Sequence, residues 1–169
     1  MTASSRSGPT ARPPLGAAMG PGATCRVPRC TGEGTLHDRD RTPRKHVFAV
    51  NSSPDFLLIV RELLADEGYA VTTSDFEPNA FTRIVMRHPD ALIVDVAPGE
   101  SLGWDLLRRL NLEAQTRDLP VLVTSTSLPL LEQARDEAAW YGANRFFLTK
   151  PLDLDDLVRI IREMVGDAG

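Results

Sequence analysis

Cysteine is nearly missing from this 169-residue chain, which has two. Two thiols cannot build a disulfide framework, and that scarcity fits a reducing cytosol. Long apolar runs are missing as well. Phe56–Val60 and Ala91–Val94 are among the longest, far short of the ~20 residues that span a bilayer. The N-terminus has no apolar stretch of the kind that directs secretion. These absences argue against a membrane protein and against a secreted, disulfide-stapled domain. The length argues against a large multidomain enzyme and suits one domain, or one domain and a tail. What is there, 42% apolar and 25% charged residues, is the composition of a soluble globular protein.

The net charge of −4 hides a division. Residues 1–46 carry 8 Lys and Arg against 3 acids, and residues 47–169 carry 11 against 20. Residues 1–45 hold 6 of the 13 prolines and 6 of the 12 glycines, and contain no Phe, Trp, Tyr or Ile. Such a segment cannot bury enough apolar area to offset a backbone entropy of ~1–2 kcal/mol per residue. Residues 1–45 therefore read as a disordered basic tail and residues 46–166 as the folded domain. Cys25 and Cys30, spaced C-x4-C with His37 the only nearby imidazole, read as incidental thiols rather than a zinc site.

From His46 the pattern changes. His46–Val50 predicts a strand. Ser53-Pro54 supplies a helix cap and a first-turn proline, Leu57, Val60, Leu63 and Leu64 recur at helical spacing, and Gly68 ends the helix. Tyr69–Thr73 predicts a second strand, Pro78–Arg87 a helix stopped by His88-Pro89, and Ala91–Val96 a continuous apolar strand. Ser101–Gln115 is a predicted helix, Pro120–Ser125 a fourth strand, and Leu128–Tyr141 a helix ended by Gly142. Arg145–Thr149 is a fifth strand and Leu154–Val165 a last amphipathic helix. Alternating short apolar strands and longer helices predict an α/β fold, a parallel sheet doubly wound by right-handed crossovers. In such sheets the site lies beyond the carboxyl ends of the strands. The residues there are Asn51 and Ser52, Asp95, Ser125 and Thr126, and Lys150.

At those positions the domain resembles the receiver domain of two-component response regulators, over about residues 46–166. ALIVDVAPGESLGWDLL places Asp95 at the phosphoacceptor position, with Pro98 and Gly103 echoing the proline and glycine that follow it. PVLVTS places Ser125 at the switch hydroxyl, 30 residues after Asp95. GANRFFLTKP places Lys150 at the family's lysine and Phe147, three before it, at the switch aromatic. The resemblance implies the flavodoxin-like strand order 2-1-3-4-5, a cis peptide before Pro151, and metal contacts at Asp95, at the Ala97 backbone and at the acid-pair positions. It implies a sensor histidine kinase or phosphotransfer protein as phosphate donor and output through the Leu128–Val165 surface. It implies no enzyme activity on an outside substrate.

The chemistry suits these residue types. A carboxylate can attack phosphorus as an oxygen nucleophile, giving an acyl phosphate. A lysine and a divalent cation offset the charge of the transferring group. A hydroxyl that moves toward the new phosphoryl group frees space for an aromatic ring, which makes a two-state element. Blander readings stand beside these. Asp95 could be a buried carboxylate held by Lys150, Ser125 could cap the following turn, and Phe147 could be plain core.

One departure stands out. Receivers carry two adjacent acids after the first strand, and here the pair is Asn51-Ser52. Mg2+ prefers carboxylates and water, so Mg2+ binding is expected to be weak. Asp55 suits the helix dipole better than a metal, and Glu100 is a distant candidate. The loop is also altered, with Pro98 three rather than four residues past Asp95.

Two functions follow. The first is a stand-alone, cytoplasmic receiver phosphorylated on Asp95 that signals through protein contacts. The second is a pseudo-receiver, an interaction module not controlled by Mg2+-dependent phosphorylation. A flavodoxin-like enzyme ranks third, because VNSSPD has no glycine to cradle a phosphate and the body has only His46 and His88. With about four residues past its last predicted helix, the sequence read alone gives the expectation of a receiver without an output domain. The acidic body is not expected to bind DNA.

Overall fold

The computed structural model describes residues 43–141 and 144–169. The tail reading therefore lies outside the described residues up to residue 42, and so does Gly142. The elements are β1 (His46–Val50), α1 (Pro54–Asp66), β2 (Ala70–Ser74), α2 (Ala80–Arg87) and β3 (Ala91–Asp95). They continue with α3 (Leu102–Leu112), β4 (Val121–Ser125), α4 (Leu128–Tyr141), β5 (Arg145–Thr149) and α5 (Leu154–Val165). The strands form one parallel sheet in the order β2-β1-β3-β4-β5. This is the doubly wound α/β architecture expected from the alternation. Among the described residues no helix is long and apolar enough to cross a membrane.

Strand residues alternate between two cores, as the two-residue pleat requires. Phe48, Val50, Leu92, Val94, Val121 and Val123 pack on one face with Ile84, Leu107 and Leu110 of α2 and α3. Val47, Ala49, Ile93 and Leu122 pack on the other with Val60 and Leu64 of α1 and with Leu157 and Ile161 of α5. Both faces are covered, so β1, β3 and β4 are almost wholly buried, and this is why they read as continuous apolar runs.

Several element ends differ from the expected ones. α3 stops at Leu112 rather than Gln115, because Glu113 is extended and the Thr116 hydroxyl donates to the free carbonyl of Leu110 at 2.9 Å. α2 begins at Ala80 rather than Pro78, after a turn in which Ala80 N–H donates to Glu77 O. β2 begins at Ala70, because the Tyr69 N–H still donates back to Leu64 O after Gly68 turns the chain at φ 91°. The Tyr69 hydroxyl then donates to Gly166 O at 2.9 Å, which ties β2 to the end of α5.

Gly103, in the first turn of α3, is where helix and strand come closest. A Cβ there would lie 2.2 Å from the Asp95 carbonyl oxygen and 3.2 Å from Val96 Cγ1. Gly103→Ala should therefore cost about 1–3 kcal/mol through overpacking against backbone. Urea denaturation checks this; unchanged stability would mean that α3 can withdraw from β3 freely.

His46 opens β1, with Nε2 2.9 Å from Thr72 Oγ1. Burial lowers its pKa; a backbone hydrogen bond with Arg87 and the nearby Asp90 oppose that shift. The folded state thus favours neutral imidazole, and the unfolded chain takes up the proton first. Stability should be full above the unfolded value of about 6.5 and fall as pH drops below it. Unfolding free energies compared between wild type and His46→Gln across this window should show the slope only in wild type.

Candidate functional site

The parallel register gathers the site. Val50 pairs with Val94 and Asp95 with Thr124, so Asn51, Asp95 and Thr124 stand at one level on three neighbouring strands. Ser125 pairs with Thr149, which brings Lys150 to the same edge. The Lys150 N–H donates to Ser125 O at 2.7 Å, and the Lys150-Pro151 peptide is cis, as the resemblance implied.

Asp95 is the centre. Lys150 Nζ lies 2.7 Å from Asp95 Oδ1, with side chains 18% and 10% exposed, so the pair is largely shielded. Thr124 Oγ1 donates to the same Oδ1 at 2.8 Å. Asp95 Oδ2 accepts no hydrogen bond among the described residues, which leaves one carboxylate oxygen for chemistry. On its other side Lys150 Nζ sits 4.3 Å from the Phe56 ring centroid, a cation–π contact supplied by α1.

Thr124 and Phe56 are site residues that sequence reasoning missed. Thr124 reads as part of an apolar strand and Phe56 as part of a helix's core face. Only the pairing of β3 with β4 and the seating of α1 bring them to Asp95 and Lys150.

Ser125 and Phe147, the expected switch pair, make other contacts than Asp95. The buried Ser125 hydroxyl donates to Val96 O at 2.6 Å and accepts from the Ser127 N–H at 3.1 Å, the turn-capping role that was its blander reading. Phe147 is half-buried against the core of α3 and α4, with the Arg135 guanidinium 5.0 Å from its ring centroid.

The residues around Asp95 do not fit a magnesium ion. Asn51 is 1% exposed, and its Oδ1 already accepts from the Ser53 N–H at 2.8 Å. Its Nδ2, a donor, is buried without a partner. Ser52 is exposed, as are Asp55 and Glu100. The Ala97 carbonyl accepts from the Glu100 N–H at 3.3 Å. Among the described residues no group of three acids, histidines or cysteines is placed to hold a metal ion. An ammonium already holds the Asp95 carboxylate. Mg2+ needs several anionic or carbonyl oxygens in a near-octahedral set, and this set is missing.

The family model of the response regulator receiver domain matches residues 47–162. The chain belongs to this receiver family. Among relatives of the receiver, the rice two-component response regulator ORR3 (Oryza sativa subsp. indica) is 29% identical over 126 residues, covering 73% of this chain and 92% of its own. Among solved structures, the Vibrio cholerae chemotaxis protein CheY4 shares the fold with a TM-score of 0.61 at 24% identity, covering 72% of this chain and 98% of its own. The receiver domain of the Pseudomonas aeruginosa sensor histidine kinase PA1611 has a TM-score of 0.60 at 22% identity, covering 73% and 99%, and its structure has a magnesium ion coordinated in the active-site cleft.

The Asp95–Lys150 pair has a measurable signature. Lys150→Met leaves a shielded carboxylate without its cation and should cost about 2–3 kcal/mol, below the range for fully buried pairs because both side chains keep some water. Adding Asp95→Asn should recover most of that loss. Strictly additive effects in denaturant unfolding would show that the two groups do not interact.

Proposed function

We propose that this receiver domain accepts a phosphoryl group on Asp95 Oδ2 in a two-component relay and passes that state on by protein contacts. The observation that carries the reading is the carboxylate at the end of β3 with one oxygen held by Lys150 and Thr124 and the other open. The donor is a phosphohistidine of a sensor histidine kinase or phosphotransfer protein. Oδ2 attacks phosphorus and the O–P bond forms as the N–P bond breaks. The electron pair stays on the imidazole nitrogen, which takes up a proton. The product is an acyl phosphate. Lys150 offsets the charge that the transferring group brings.

The output follows from the same edge. The Ser125 hydroxyl leaves Val96 O for a phosphoryl oxygen, and Phe147 turns into the space released. That change is read on the surface of α4, β5 and α5, about Leu128–Val165, by a protein partner. The acidic domain, with 20 acids against 11 Lys and Arg after residue 46, argues against direct DNA contact. On this reading the chain is a cytoplasmic signalling protein and not an enzyme toward an outside substrate.

Incubation of the full chain with acetyl phosphate and measurement of intact mass tests this. A gain of one phosphoryl group, absent in Asp95→Asn, is the expected result. No gain under any condition would favour the second reading, a pseudo-receiver, which rests on Asn51 and Ser52 in place of the acid pair.

A further inference from the structure

Of the two residues that stand where the family has its acid pair, Asn51 is the buried one. It follows β1 at the level of Asp95 and is 1% exposed. The Ser53 N–H fixes its Oδ1 at 2.8 Å, so the amide cannot turn over without losing that bond. Its Nδ2 is thereby held in place, buried and unpartnered. An unsatisfied buried donor is costly, and it calls for an acceptor. Aspartate or glutamate there would draw a cation; an amide N–H repels one. The cationic charge of the pocket is already present in Lys150, 2.7 Å from Asp95 Oδ1.

A phosphoryl group on Asp95 Oδ2 brings strong acceptor oxygens to this level of the sheet. We infer that the pocket takes its phosphoryl group without a divalent cation, and that Asn51 Nδ2 donates to a phosphoryl oxygen. Lys150 supplies the charge and Asn51 the direction. This rests on Asp95 being the phosphoacceptor, and the transfer step is the one written above, with no further reactant.

Phosphoramidate as donor, in EDTA and in Mg2+, tests the inference on the full chain. Wild type should phosphorylate at the same rate in both, and Mg2+ should leave its melting temperature unchanged. Asn51→Asp keeps an oxygen for the Ser53 N–H, removes the donor and adds a carboxylate beside Asp95. In EDTA it should phosphorylate roughly tenfold more slowly or worse, the loss of one hydrogen bond to a charged group. Mg2+ should restore its rate and raise its melting temperature by binding the folded state. Wild type that needs Mg2+ overturns this inference and leaves the Asp95 reading standing. Asn51→Asp as fast as wild type in EDTA removes the role of Asn51. Phosphorylation in neither buffer overturns the Asp95 reading and this inference together.

Discussion

The contact between Lys150 and Asp95 is the constraint around which the rest is arranged. Removing an ammonium and a carboxylate from water is expensive, and their attraction returns that cost only with good geometry and further hydrogen bonds. The geometry here depends on three strands. β4 lies between β3 and β5, pairs with both, and so sets where Lys150 meets Asp95. The additional bonds come from Thr124 to Asp95 Oδ1 and from the Phe56 ring to the lysine. A pair of well-packed apolar residues would stabilise this position as well or better, which is a physical reason to see function in its retention.

Close packing turns that pair into a rigid platform. Gly103 lets α3 press against the Asp95 carbonyl, so the strand end has little room to shift. Ser125 is tied to Val96 O on one side and to the Ser127 N–H on the other. Phe147 is half-buried beneath the Arg135 guanidinium.

Charge explains how the altered acid pair is tolerated. Two carboxylates beside Asp95 would repel one another without a metal. Asn51 and Ser52 remove that repulsion, and Asp95 is left paired with Lys150. What remains is a buried amide donor without a partner.

Much of this was legible before any coordinates. Strands buried on both faces must be apolar throughout, so β1, β3 and β4 announce themselves, and α/β alternation leaves a doubly wound sheet as the natural solution. Asp95, Ser125 and Lys150 follow apolar strands at spacings that placed them at one sheet edge. Thr124 and Phe56 were not legible, because a threonine in a strand and a phenylalanine on a helix look like core until register and helix seating are known. The end of α3 depended on a hydroxyl reaching back from Thr116 to Leu110, a contact that helical periodicity does not encode. By itself the sequence determined which residues stand at the carboxyl edge of the sheet, since period and strand ends are local properties. Tertiary structure decided which oxygen of Asp95 is held and which is open, and that the Asn51 amide is buried without a partner. Those facts depend on the distances between strands that chain order alone does not set.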